Sequence, residues 1–203
     1  MEPHTSSAVD AMMRAGRAVI LNESHAVAEL GDNLGEEFGI AGEMILAARG
    51  RIACIGVGKS GIIAHKFAAT LSSLGTPAFF IHATDAVHGD LGMITRDDIV
   101  IVLSHSGSTP EIVALLGPLA DLCVPIVAIT DHTDSPLARA AACVLCPNVT
   151  EEADHLGLAP TSSTTATLVL ADALAVAVAQ VRGFSLDDFA RTHPGGNLGR
   201  EAR

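Results

Sequence analysis

The 203-residue sequence predicts a doubly wound α/β domain: a five-stranded parallel sheet of order 2-1-3-4-5, flanked by helices and preceded by two more. Two observations carry that prediction. Five short runs of β-branched or apolar residues, lacking outward polar positions, alternate with helical segments, as expected of strands buried on both faces. Polar glycine loops, Gly56-Val57-Gly58-Lys59-Ser60-Gly61 and Ser104-His105-Ser106-Gly107-Ser108-Thr109, follow the first and third runs. In this order those two strands are neighbours whose loops diverge, which is where such sheets bind ligands.

Residues 7–49 are helical in pattern, with a break at Gly31-Asp32-Asn33 that makes two helices. The strands are then 52–56, 78–81, 99–103, 126–129 and 143–145. Helices at 60–74, 109–122 and 136–141 separate most of them, whereas the link from 81 to 99 reads as irregular. A long helix at 163–182 and a short one at 185–191 close the chain. The apolar stretch 166–181 holds Asp172 and is shorter than the ~20 residues of a membrane span, so it reads as a buried helix. No internal repeat or linker divides the chain, and one domain over 1–203 is expected.

Composition narrows the function. The chain is 49% hydrophobic and carries 12 Lys and Arg against 23 Asp and Glu, a formal net charge of −11, which argues against nucleic acid as a partner. Any anionic ligand must therefore be met locally. With neither Trp nor Tyr, aromatic platforms are not the means of holding it. The N-terminus lacks a basic start followed by an apolar core, so a cytoplasmic location is expected. Cys54, Cys123, Cys143 and Cys146 show no disulfide framework, and Cys143 and Cys146, though spaced C-x-x-C, read as ordinary buried thiols.

The loop at 104–109 has the chemistry of a phosphate cradle. Ser104, Ser106, Ser108 and Thr109 supply neutral donors, Gly107 lets backbone approach the anion, and the next helix aims its first amides at the same point. Serines before a helix also serve as plain caps, so the second loop matters. Gly58, Lys59 and Ser60 place a flexible turn and one cation beside the crevice. The G-x-G-x-x-G spacing at 56–61 would suit a dinucleotide, but strand 2 ends in Ile81-His82-Ala83 without the acid that holds a ribose. A nucleotide-triphosphate loop would need glycine at position 53, which is Ala. No cofactor is expected.

The motifs GVGKSG (56–61), HGDLGMI (88–94), SHSGSTPE (104–111), APTSSTT (159–165) and HPGGNLGR (193–200) resemble those of sugar isomerase (SIS) domains, and more narrowly those of the D-arabinose 5-phosphate isomerases. The resemblance implies an SIS-type fold, a phosphosugar substrate, and interconversion of D-arabinose 5-phosphate and D-ribulose 5-phosphate for synthesis of the acidic sugar Kdo. It implies homotetramers with sites between subunits. It places catalytic roles on Lys59, Glu111, Glu152 and His193, substrate contacts on Gly75, Thr76 and His88, and an inhibitory zinc contact on His82. Most members continue into a pair of CBS domains, whereas this sequence stops at Arg203. Another phosphosugar isomerase, or a sugar-phosphate-binding regulator, could use the same scaffold. The second would carry a basic recognition helix, absent from the acidic first 50 residues.

Aldose–ketose isomerisation needs an acid, a base and a cation. Glu152 or Glu111 is expected to shuttle the proton between C1 and C2, its pKa raised toward neutrality in a dry crevice. Lys59 would steady the developing oxyanion, and His193, with His88, would open the sugar ring. A solvated acidic turn at 151–154 and a helix stop at His193-Pro194 would leave the same residue patterns. His82 and His88 lack an evident third ligand, which argues against a catalytic zinc.

Overall fold

The computed structural model describes residues 4–195, and side chains from residue 7 onward. Five parallel strands, β1 (Ile52–Gly56), β2 (Ala78–His82), β3 (Ile99–Leu103), β4 (Ile126–Ile129) and β5 (Cys143–Leu145), form one sheet in the order β2-β1-β3-β4-β5. Register is regular: Ile52 pairs with Ala78 on one side and Ile99 on the other, and Val100 with Ile126.

Alternation along the strands divides the core in two, because successive side chains point to opposite faces. Ile52, Cys54, Ile99, Ile101, Leu103, Val127 and Ile129 face one layer of helices: α1 (His4–Asp32), α2 (Glu36–Ala47), α3 (Gly58–Ser73) and α7 (Ser162–Arg182). Ala53, Ile55, Val100, Val102, Ile126 and Ala128 face α4 (Ala83–Ala86), α5 (Pro110–Asp121) and α6 (Pro136–Ala140). The helix α8 (Leu186–Thr192) begins with a capping box in which Ser185 and Asp188 satisfy each other's amides. Buried Asp98 ties two strand starts together by accepting the amides of Arg51 at 2.6 Å and Thr95 at 2.8 Å.

Several expectations needed adjustment. The link from 81 to 99 is not irregular: it holds α4 and a 3-10 turn at Asp90–Met93. Helix α7 is 21 residues long and apolar enough to cross a membrane, so shortness is no argument against a span. Its packing is: Ala166, Leu170, Leu174 and Val178 are buried against the sheet, and Asp172 pairs with Lys66 of α3. Cys54 and Cys143 are buried thiols as read, Cys146 is half-buried, and Cys123 is exposed in a left-handed turn.

Candidate active site

Both glycine loops reach the same place. A cleft of about 300 Å³ opens beyond the carboxyl ends of β1, β3 and β4, lined among others by Lys59, Ser60, Ser104, His105, Ser106 and Thr109. Three helices begin at it. Neither α3 nor α5 has a side chain capping its first amides, so both N-termini keep donors for an anion. Helix α7 also starts there, contributing Ser163, Thr164 and Thr167 to the lining.

The 104–109 loop is held in shape by its own polar groups. Ser104 and Thr109 share a hydroxyl hydrogen bond of 3.1 Å, and Gly107 donates its amide to Ser104 and accepts that of Leu137, each at 3.1 Å. Gly107 has φ +58, and a Cβ there would fall on Ser135, so the turn admits only glycine. Ser108 is exposed, its amide and hydroxyl turned back on Ser106. Lys59 is exposed at the first turn of α3 and makes no ion pair among the described residues.

Glu152 corrects an expectation. Burial pushes its pKa up, but the Ser163 hydroxyl, the Thr161 and Ser163 amides and the Thr161 hydroxyl all donate to it, and together they hold it below the ordinary 4.5. It is therefore an ionised carboxylate, and a weaker base than a dry crevice would give. The reason is local: 152 folds back onto the start of α7, where uncapped amides and hydroxyls favour the charged form. Glu111 sits half-buried in the first turn of α5, beside the cleft but outside its lining.

His193 lies elsewhere. Its Nδ1 donates to the Phe189 carbonyl at 3.0 Å, its Nε2 is 2.9 Å from the Ser73 hydroxyl, and its ring stacks on Phe189 at 3.9 Å. Ser73 ends α3 whereas Lys59 begins it, a separation of about 21 Å along the helix axis. Gly75, with φ +84 and its backbone against the Phe184 ring, and buried Thr76, whose hydroxyl accepts from Arg182 at 2.9 Å, share that distant end. Residues 196–200 of the terminal motif lie outside the described residues. His88 is exposed after α4, and His82 ends β2 with its ring edge-on to Phe80. Among the described residues no three metal-ligating side chains gather, at His82 or elsewhere.

The cleft also holds a pair that residue-by-residue reading missed. His105 Nδ1 lies 2.8 Å from Asp131 Oδ2, and both line the cleft. The sequence gives little warning, since the partners are separated by 26 positions and meet only because β3 and β4 are adjacent. Ser163 and Thr164, by contrast, belong to the hydroxyl-rich APTSSTT motif (159–165) at a helix start, a run legible in the sequence although no substrate contact was expected of it.

An open α/β sheet with donor-rich helix starts converging at its switch point defines a doubly wound domain with a polar cleft. The chain belongs to the SIS domain family, which matches residues 44–177. It is 51% identical over 195 residues to the arabinose 5-phosphate isomerase KdsD of Pseudomonas aeruginosa, covering 96% of this chain and 60% of that protein. It is 50% identical over 188 residues to the KdsD of Shigella flexneri, covering 93% and 57% respectively. The chain thus spans less than two thirds of the length of these curated relatives. The solved structure of an E. coli CFT073 protein in complex with arabinose 5-phosphate superposes with a TM-score of 0.89 at 42% identity, covering 91% of this chain and 98% of that one.

Proposed function

We propose that this chain interconverts D-arabinose 5-phosphate and D-ribulose 5-phosphate through an enediol, with the aldose feeding Kdo synthesis. The observation that carries the reading is the cleft, where Lys59, the hydroxyls of Ser104, Ser106 and Thr109 and two uncapped helix starts meet at the switch point. The similarity to arabinose 5-phosphate isomerases supports the choice of substrate. The phosphate takes the loop hydroxyls and the starts of α3 and α5, because Glu152 already occupies the start of α7. The sugar carbons then run between Lys59 and Glu152. Lys59 stabilises the oxyanion as it develops, a contribution of roughly 3 to 4 kcal/mol for one well-placed donor. Glu152, an ionised carboxylate outside the cleft lining but hydrogen-bonded to Ser163 within it, moves the proton between C1 and C2.

Ring opening falls to His193, which the distance along α3 removes from the cleft of its own chain. The complete site therefore joins two copies, His193 of one meeting Lys59 of the other, within a homotetramer. The family match covers 44–177, and packing of α1 and α2 on α7 supports counting the flanking helices in the same domain. Free cysteines suit a reducing, cytoplasmic setting.

Incubation with ribulose 5-phosphate in deuterated water tests the reading. Label at C1 of the ketose and C2 of newly formed arabinose 5-phosphate is the expected result. A sugar neither converted nor labelled would mean a binding protein, and ribose 5-phosphate as product would mean that the same enediol is protonated on its other face, to the C2 epimer.

A further inference from the structure

The isomerisation chemistry leaves His105 and Asp131 without a task. We propose that His105, oriented by Asp131, is a second phosphate-binding cation of the cleft, so that protonation of its imidazole tightens the grip on a phosphate monoester. This rests on the isomerase reading and adds to it a substrate contact and a pH response.

The geometry is that of a built site. Asp131 accepts at Oδ2 from His105 and at Oδ1 from the Val149 amide at 2.9 Å, so both its oxygens are committed. Because the carboxylate fixes the proton on Nδ1, the ring offers Nε2 to a ligand. The His105 carbonyl accepts from the Asp131 amide at 3.1 Å and the Thr130 hydroxyl at 3.0 Å, which locks the loop to the end of β4. The pair is closed at one end and open at the other: the Asp131 side chain is 7% exposed and that of His105 49%. His105 also sits between Ser104 and Ser106, whose hydroxyl-bearing loop is the proposed phosphate cradle.

Two carboxylates favour the protonated form of His105, and one cation opposes it. Asp131 faces it from β4, Glu152 acts from the segment before α7, His132 stands edge-on at 5.7 Å, and Lys59 lines the same cleft from α3. The Asp131 hydrogen bond raises the pKa, partial burial lowers it, and the charges of Asp131 and Glu152 raise it again, leaving it above 6.5. The imidazolium is therefore present below that raised value and is lost as pH climbs through it. In a chain of net charge −11, it doubles the cleft's positive charge beside Lys59.

The test is KM for arabinose 5-phosphate from about pH 6 to 9 in the wild type, His105→Gln and Asp131→Asn, with the His105 ring titrated by NMR. The substrate's own second ionisation, near pH 6, is common to all three and drops out of the comparison. His105→Gln is expected to raise KM roughly tenfold at the acid end and to flatten its climb with pH, the low end of the range for a hydrogen bond to a charged group. Asp131→Asn should move both the ring titration and the KM break to lower pH. Calorimetric binding of inorganic phosphate over the same pH range, which needs no turnover, should weaken in His105→Gln along with KM. Parallel KM profiles for wild type and His105→Gln, or a loss confined to kcat, overturn the proposal. A wild type that binds phosphate in this pH-dependent way yet turns nothing over upholds the His105 site and removes the isomerase reading instead.

Discussion

At the scale of single residues, the surroundings of Glu152 decide how the proposed reaction responds to acid. Four donors from Thr161 and Ser163 hold its pKa below 4.5, so it stays ionised throughout the mildly acidic range. A base raised toward neutrality would instead protonate there and stop the enzyme. Measured with the open-chain ketose, which needs no ring opening, the acid limb of kcat is thus expected to lie below the ordinary glutamate value, and a limb near pH 6 to 7 would identify a different base. Glu152→Gln should lower kcat by about 10² to 10⁴. The same change should cost about 1 kcal/mol of stability, since it weakens the anchor at the start of α7, and a denaturant melt reads this separately. The linkage runs in one direction: a depressed pKa contributes stability above its unfolded value, and that contribution fades as pH falls through the folded one.

At the scale of elements, the proposed phosphate cradle depends on one turn. Gly107 takes a left-handed conformation with its Cα facing Ser135, which itself caps α6 by accepting the Ala138 amide at 3.2 Å. Gly107→Ala should displace Ser135 and the loop together, destabilising the protein by about 1 to 3 kcal/mol and weakening phosphate binding. Calorimetry with inorganic phosphate would check this, and unaltered binding would remove the cradle from the mechanism. Such a turn was legible because strand, glycine and helix start follow one another in sequence. So was the sheet order, for the two polar loops mark neighbouring strands. Contacts across strands were not legible: His105 meets Asp131 through sheet adjacency, and the pinning of Glu152 comes from backbone amides that every residue carries. Position along a helix axis was equally hidden: nothing in the sequence places His193 at the far end of α3 from Lys59.

At the scale of the whole molecule, that separation becomes a prediction about assembly. Lys59 stands at the carboxyl edge of the sheet and His193 at the opposite edge, about 21 Å apart along α3. No side-chain motion spans such a distance, so if both act on one sugar they come from different copies. In a symmetric pair each site then takes Lys59 from one chain and His193 from the other. Lys59→Ala and His193→Ala should each be nearly inactive alone. In a hybrid pair one site collects both substitutions and the other collects neither, so random mixing restores roughly a quarter of wild-type activity. Coexpression of the two differently tagged variants, with hybrids verified by native mass spectrometry, gives the measurement. Hybrids that form yet stay inactive would confine each site to a single chain, and His193 would then be what its contacts with Ser73 and Phe189 make it within one copy, the lock that seats α8 against the end of α3.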